Sequence, residues 1–278
     1  MNILTGGLLW LAAQTLWGAG EEQIVRPIKA SDNGAAVAAE YQAEIADAER
    51  LGRIIFEHDI AAARATDFII DKTRGKLSED VRGWIEAPLE DGAIRIYFFG
   101  EAAEGEFFPV YAVDVRNGEA VKKSYTAYTG RTPFETPLNN LAKARAIALR
   151  QPFNACSRNY NSVVFENAPG EYFVYLLAGT RDPGVIPFGG HYRMTVNPDE
   201  NAIIGFQAFS KSCLIMRKDQ APKGSTAAAL MVSHIVTPYP METHAWLSLL
   251  HEIDIYVMTA DNGVLWKVSK GQIEALQD

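Results

Sequence analysis

Two cysteines and five histidines in 278 residues leave little material for metal-binding or redox motifs, and what there is lacks the required spacing. There is no CxxC and no Cys/His pattern of a zinc module. A GxSxG elbow, an SxxK pair, a Walker loop, a GxGxxG turn and an HExxH helix are all missing. His251-Glu252 begins the last of these, but position 255 is Ile, so the second ligand is absent. Positive charge is scarce as well. Lys and Arg number 26 against 34 Asp and Glu, a net charge of −8 with a pI near 5.2. That balance excludes a general nucleic-acid binder, which needs concentrated cations to displace counterions from phosphates. Low-complexity tracts and internal repeats are absent, and no uncharged apolar run after residue 20 reaches bilayer-spanning length.

What is present begins with Met1–Gly20, a stretch without a charged side chain that is mostly apolar from Ile3 to Trp17. It is short for a membrane span. Gly18 and Gly20 offer small residues at the −3 and −1 positions of a cleavage site, so residues 1–20 read as a signal peptide despite the missing Lys or Arg near Met1. An uncleaved anchor and a buried helix are the alternatives. After cleavage no stable membrane insertion is expected. Residues 21–33 read as a linker and 34–278 as a single α+β domain, with a seam near 151–159 if it has two lobes. In an oxidising compartment Cys156 and Cys213 are expected to pair as one disulfide; two buried free thiols are the other reading.

Apolar residues from Val37 through Tyr41, Ile45, Ala48, Leu51, Ile55, His58, Ala62 and Ala65 to Ile69 recur every three or four positions, one face of a long helix. Asp32 or Asn33 is placed to cap it, Gly52 to bend or split it, and Gly75 to end it. From residue 82 the pattern turns to strands at 82–87, 93–99, 107–116 and 120–128, with Asn117-Gly118 as a two-residue hairpin turn. Thr136 and Pro137 open a helix carrying Leu138, Leu141, Ala144, Ala148 and Leu149. Strands are expected again at 162–166, 172–178, 191–196, 203–209, 228–236, 244–250, 253–259 and 264–268. Strand runs without βαβ alternation predict an α+β fold, in which a long N-terminal amphipathic helix packs on mostly antiparallel sheet, with one further helix mid-chain.

The candidate site is a polar cluster of His191, His234, Glu242 and His244. Residues 237–243 read as the loop of a hairpin whose strands carry His234 and His244. An even register sum then puts both imidazoles on one face, with Glu242 placed to orient one or act as a base. With His191 on an adjacent strand, three nitrogens would suit zinc and leave a position for water. Hydrogen bonding to backbone is the plainer account, and no metal or cofactor is assigned. Arg193 shares the strand face of His191, or is an exposed strand arginine. Gly189-Gly190 signals a bulge, a close backbone approach or an anion nest. Ser212 beside Cys213 lacks a base. His58-Asp59 is a polar dyad or helix packing, and the aromatic stripe around Trp84 and Tyr97 is expected to be core, with a carbohydrate or peptide platform as the alternative.

The run from Gly189-Gly190-His191-Tyr192-Arg193 to Cys213-Leu214, and the run from His234 through Glu242-Thr243-His244 to Asp261-Asn262-Gly263 and Leu265-Trp266-Lys267-Val268, resemble exported proteobacterial proteins of unknown function. That resemblance implies export and no activity. The expectation is therefore a periplasmic or secreted, non-enzymatic binding or envelope-associated interaction module with an unknown protein or small-molecule ligand. A hydrolase using the histidines, with or without zinc, is the alternative, and docking through the long helix is a third reading.

Overall fold

The computed structural model describes residues 33–217 and 229–277. The expected signal peptide, and all but the last residue of the linker, lie outside the described residues.

The expected helix is present as α1 (Gly34–Glu40) and α2 (Gln42–Lys72). The break falls at Tyr41, not at Gly52, and Asn33 sits at the N-cap without a side-chain cap bond. Gly52 serves contact instead of bending. A Cβ there would lie 2.6 Å from the Ala245 Cβ and 2.8 Å from the Glu242 carbonyl oxygen, so the glycine lets a second helix approach the α2 backbone. Gly52→Ala gains about 1 kcal/mol of helix propensity, but the added methyl must displace backbone. We expect a net loss of about 1–3 kcal/mol, read as a lower urea midpoint at unchanged m-value.

Sheet follows as an antiparallel meander of β1 (Gly83–Pro88), β2 (Ile94–Ala103) and β3 (Glu106–Arg116). The Asn117-Gly118 turn forms as expected: φ is 50° and 74°, and Arg116 pairs with Glu119. The strand expected over 120–128 does not form. It is replaced by β4 (Glu119–Ala120), a 3-10 turn (Lys122–Ser124) and β5 (Thr126–Ala127). The Ser124 hydroxyl donates to the Val121 carbonyl and accepts the Asp114 amide, a local alternative to ladder pairing.

The expected mid-chain helix is α3 (Leu138–Arg150), with its N-cap at Pro137 and not at Thr136, so it starts one position later than read. Then come β6 (Asn159–Ala168), β7 (Glu171–Gly179), β8 (Val185–Pro187), β9 (Tyr192–Asn197), β10 (Ala202–Ala208) and β11 (Ile215–Arg217). β6, β7, β9 and β10 form an antiparallel sheet in the order β10-β9-β7-β6, while β8 pairs β11.

The C-terminal part contains the largest correction. Residues 244–250 are not a strand, and His234 and His244 are not hairpin partners. β12 (Ala229–His234) leads through a loop to a helix, α4 (Glu242–Leu250), and on to β13 (Asp254–Thr259), which pairs β12 in parallel. Parallel neighbours require a crossover, and α4 supplies it. β14 (Leu265–Ser269) and β15 (Gln272–Ala275) complete the sheet antiparallel. The fold is α+β, with mostly antiparallel sheets and, among the described residues, one parallel pair.

The central β10-β9-β7-β6 sheet is covered on both faces around β7, while its edge strand β10 leaves Ile204 and Phe206 exposed. Val164, Val174, Leu176, Met194 and Val196 pack with α3 and with Ile85 and Phe99 of the first sheet. Val163, Tyr175 and Leu177 face Ile55 of α2, Trp246 and Leu247 of α4, and Trp266 of β14. At 1.5 Å per residue α2 runs about 46 Å. Its N-terminal half packs in that second cluster, and its C-terminal half carries Ala61, Ala65 and Ile69 onto Ile96, Phe98 and Val113.

The Cys156–Cys213 disulfide is formed, 57 positions apart, joining the segment before β6 to the loop before β11. It passes Gly190 (φ 83°), where a Cβ would lie 2.5 Å from the Cys156 sulfur; close backbone approach is the reason for that glycine. Replacing both cysteines by serine is expected to cost about 2–4 kcal/mol, because the unfolded chain regains a long loop. Urea unfolding of the variant beside the oxidised and reduced protein measures this.

Candidate functional site

The expected polar residues do gather around the β12–α4 junction, but with partners other than those read from the sequence. β12 ends at His234, the loop 235–241 turns over it, and α4 begins at Glu242 with His244 in its first turn. All four of His191, His234, Glu242 and His244 are buried. The His234 and His244 rings meet edge to face at 4.8 Å between centroids. His191 packs instead on Trp246, at 5.1 Å.

Each imidazole is bonded to backbone. The Ala178 amide donates to His191 Nδ1 at 3.0 Å, and Nε2 meets the Pro187 carbonyl at 2.9 Å, which places the proton on Nε2. The Met241 amide donates to His244 Nδ1 at 3.0 Å, the back half of a capping box at the start of α4. The Thr237 amide donates to His234 Nε2 at 3.2 Å, and the Thr237 hydroxyl lies 2.8 Å from the same nitrogen. Burial lowers the pKa of His191 and of His234 to about 4, and holds His244 well below the ordinary value with help from His234. These rings are neutral around pH 7 and hold the chain path.

Glu242 reaches none of them. Its Oε1 accepts from the Arg193 guanidinium at 2.5 Å and from the Tyr175 hydroxyl at 3.1 Å. Burial raises its pKa, opposed by the Arg193 charge. Arg193 lies opposite Tyr175 across the β7–β9 ladder and stacks on the Phe173 ring at 4.5 Å. It does not join His191: both side chains face α4, but Arg193 bonds Glu242 at the start of that helix while His191 packs on Trp246 one turn further on. Tyr175 and Thr237 are the partners the sequence reading missed. Tyr175 carries a strand-register signal that only a known β7–β9 pairing makes visible.

His58 and Asp59 are likewise buried. Burial lowers the pKa of the former to about 4 and raises that of the latter, and the Asn161 amide donates to Asp59 at 3.0 Å. Deeper still, Glu86 accepts the Val164 amide, and burial raises its pKa to about 8. Arg145, lying over the Trp84 ring, donates to Ser162.

Among the described residues no set of three or more His, Cys, Asp or Glu side chains is placed to hold a metal ion. The concave surface features lie elsewhere. One, of about 330 Å³, is lined by Asp80, Phe108, Tyr111, Tyr128 and Arg131 among others. There Arg131 bonds Asp80 at 2.8 Å with its guanidinium above the Phe108 ring. No helix among the described residues is long and apolar enough to cross a membrane. No family model matches the chain, and no curated protein or solved structure matches it either.

Proposed function

We propose that this chain is an exported, non-enzymatic binding module of the cell envelope, taking a protein or small-molecule ligand. One observation carries the reading: the residues a histidine hydrolase would use are committed to holding the fold. His191 and His244 each accept a backbone amide, His234 is bonded to Thr237, and Glu242 is paired with Arg193 and bonded by the Tyr175 hydroxyl. A general base needs a lone pair within reach of a substrate proton, and these four side chains are buried and bonded within the fold. The Cys156–Cys213 bridge supports export, since such bonds persist in oxidising compartments. The open hollow at Tyr128 and Arg131, an aromatic wall beside a cation, is the better candidate for contact with a ligand.

The test pairs two screens on the disulfide-bonded protein. A panel of esters, amides, phosphoesters and glycosides, with and without added zinc, should show no turnover above blank. Titration with envelope-derived glycans and peptides, followed by NMR, should shift resonances at residues 127–131 and leave α4 unmoved. Turnover abolished by Glu242→Gln would overturn the reading in favour of the hydrolase.

A further inference from the structure

Ring nitrogens that accept backbone amides cannot take a proton and keep the bond. His244 does this with the Met241 amide, and His234, bonded through Nε2 to Thr237 of the same short loop, has its ring in contact with that of His244. Proton uptake at Nδ1 of His244 turns an acceptor into a second donor facing the Met241 N–H, and the α4 cap is lost. Proton uptake at His234 sets a positive charge against the His244 ring, which it meets edge to face at 4.8 Å between centroids. We propose that the 235–241 loop and the first turn of α4 form an acid-sensitive joint, released from the sheets beneath when His234 and His244 take up protons. The inference stands apart from the binding reading and uses no ligand.

The surroundings favour release over tolerance. The charges acting on His244 are those of His234 and His191, repulsive once any two are protonated. His191 in turn faces His251. From the central sheet Arg193 and Tyr175 grip Glu242, and Asp47 of α2 acts on that same pair. Acid that protonates Glu242 weakens the Arg193 contact, so the second anchor of α4 loosens in the same direction. Asp59 of α2 faces Trp246 one turn further along.

The sign follows from linkage. In the closed joint both histidines titrate below their ordinary value of 6.5, and in the open joint they regain it. Closure is therefore fully favoured above pH 6.5 and is lost as pH falls from there toward about 4. Two protons give about 100-fold more opening per pH unit in that window.

Hydrogen exchange on the full disulfide-bonded chain between pH 7.5 and 4.5 tests this, after correction for intrinsic exchange. Amides of Thr237, Met241 and His244 should open with the two-proton slope while Val163 and Val174 in the central sheet stay protected. Gln at helix position N3 can accept the cap amide without titrating. His244→Gln is therefore expected to cut the slope to about 10-fold per pH unit, and His234→Gln to do the same. Parallel loss of protection in the joint and the central sheet would overturn the proposal, as would an unchanged slope in both variants. Should either variant fail to fold, wild-type imidazole NMR decides: His234 and His244 titrating together with the joint amides supports the joint, and titration only at global unfolding defeats it.

Discussion

Arg193→Met should lower stability by about 3–5 kcal/mol at pH 8, the cost of leaving Glu242 buried without its counter-charge. The pair is well placed for so large an effect. The Arg193 side chain is 22% exposed and that of Glu242 only 5%, the contact is 2.5 Å, and Tyr175 shares the same carboxylate oxygen. A merely lost packing contact would cost the same at every pH. Here the deficit should shrink toward pH 5. Without Arg193 the folded-state pKa of Glu242 rises further above its unfolded value, so the folded variant binds a proton more readily than the unfolded chain and gains stability as pH falls. The double variant Arg193→Met/Glu242→Leu removes both charges and should recover to within about 1 kcal/mol of wild type. Urea unfolding of the three proteins at pH 8 and pH 5 gives the cycle. A single-variant loss below about 0.5 kcal/mol, or one independent of pH, would mean that the pair contributes nothing beyond surface electrostatics.

That pair also marks where the sequence stopped being readable. The long helix was legible because three- and four-residue spacing survives whatever it packs against, and most strands were legible because each keeps one face distinct or is bounded by Gly, Asn or Pro. Residues 242–250 were not. Every side chain from Glu242 to Ser248 is buried, so the segment is covered all round and shows no stripe. Strand and helix are then indistinguishable by period. The missing clue is topological: β12 and β13 run parallel, which no local pattern announces. Gly52 was misread for a related reason. A glycine in a helical pattern signals weakness when neighbours are ignored, yet here it faces Ala245 and the start of α4.

The candidate site shows the same division. His234 and His244 were correctly placed side by side, but for a reason that proved false, since one lies at a strand end and the other in a helix. Their chemical role depended on which nitrogens the backbone amides occupy. Loop conformation decides that, and spacing does not record it. Arg193 was assigned its face correctly by alternation; its partner Glu242 was then taken for a hairpin-loop residue and is the first residue of α4. The paired cysteines were legible from number and expected compartment alone.

Trp266→Ala should cost about 3–5 kcal/mol, and part of that loss should appear at the loop over β12. Trp266 is fully buried on β14, between β13 and β15 and in one cluster with Trp246 and Leu247 of α4, and its removal leaves a cavity among large neighbours. Its indole also begins a chain of bonds. Nε1 donates to the Thr259 hydroxyl at 3.0 Å, that hydroxyl donates to Asn262 Oδ1 at 2.5 Å, and the Asn262 amide donates to the Pro238 carbonyl at 2.7 Å. The tryptophan thus holds the Asp261-Asn262-Gly263 turn, which in turn holds the loop leading into α4. Volume and bonding separate experimentally. Trp266→Phe keeps much of the ring volume and loses the N–H with a small residual cavity, so it should cost about 1–2 kcal/mol. Exchange at Thr237 and Met241 should rise in both variants, and more than in β7 for the phenylalanine. If Trp266→Phe unfolds at the wild-type urea midpoint with loop exchange unchanged, the chain from indole to Pro238 has no mechanical role, and packing alone explains the tryptophan.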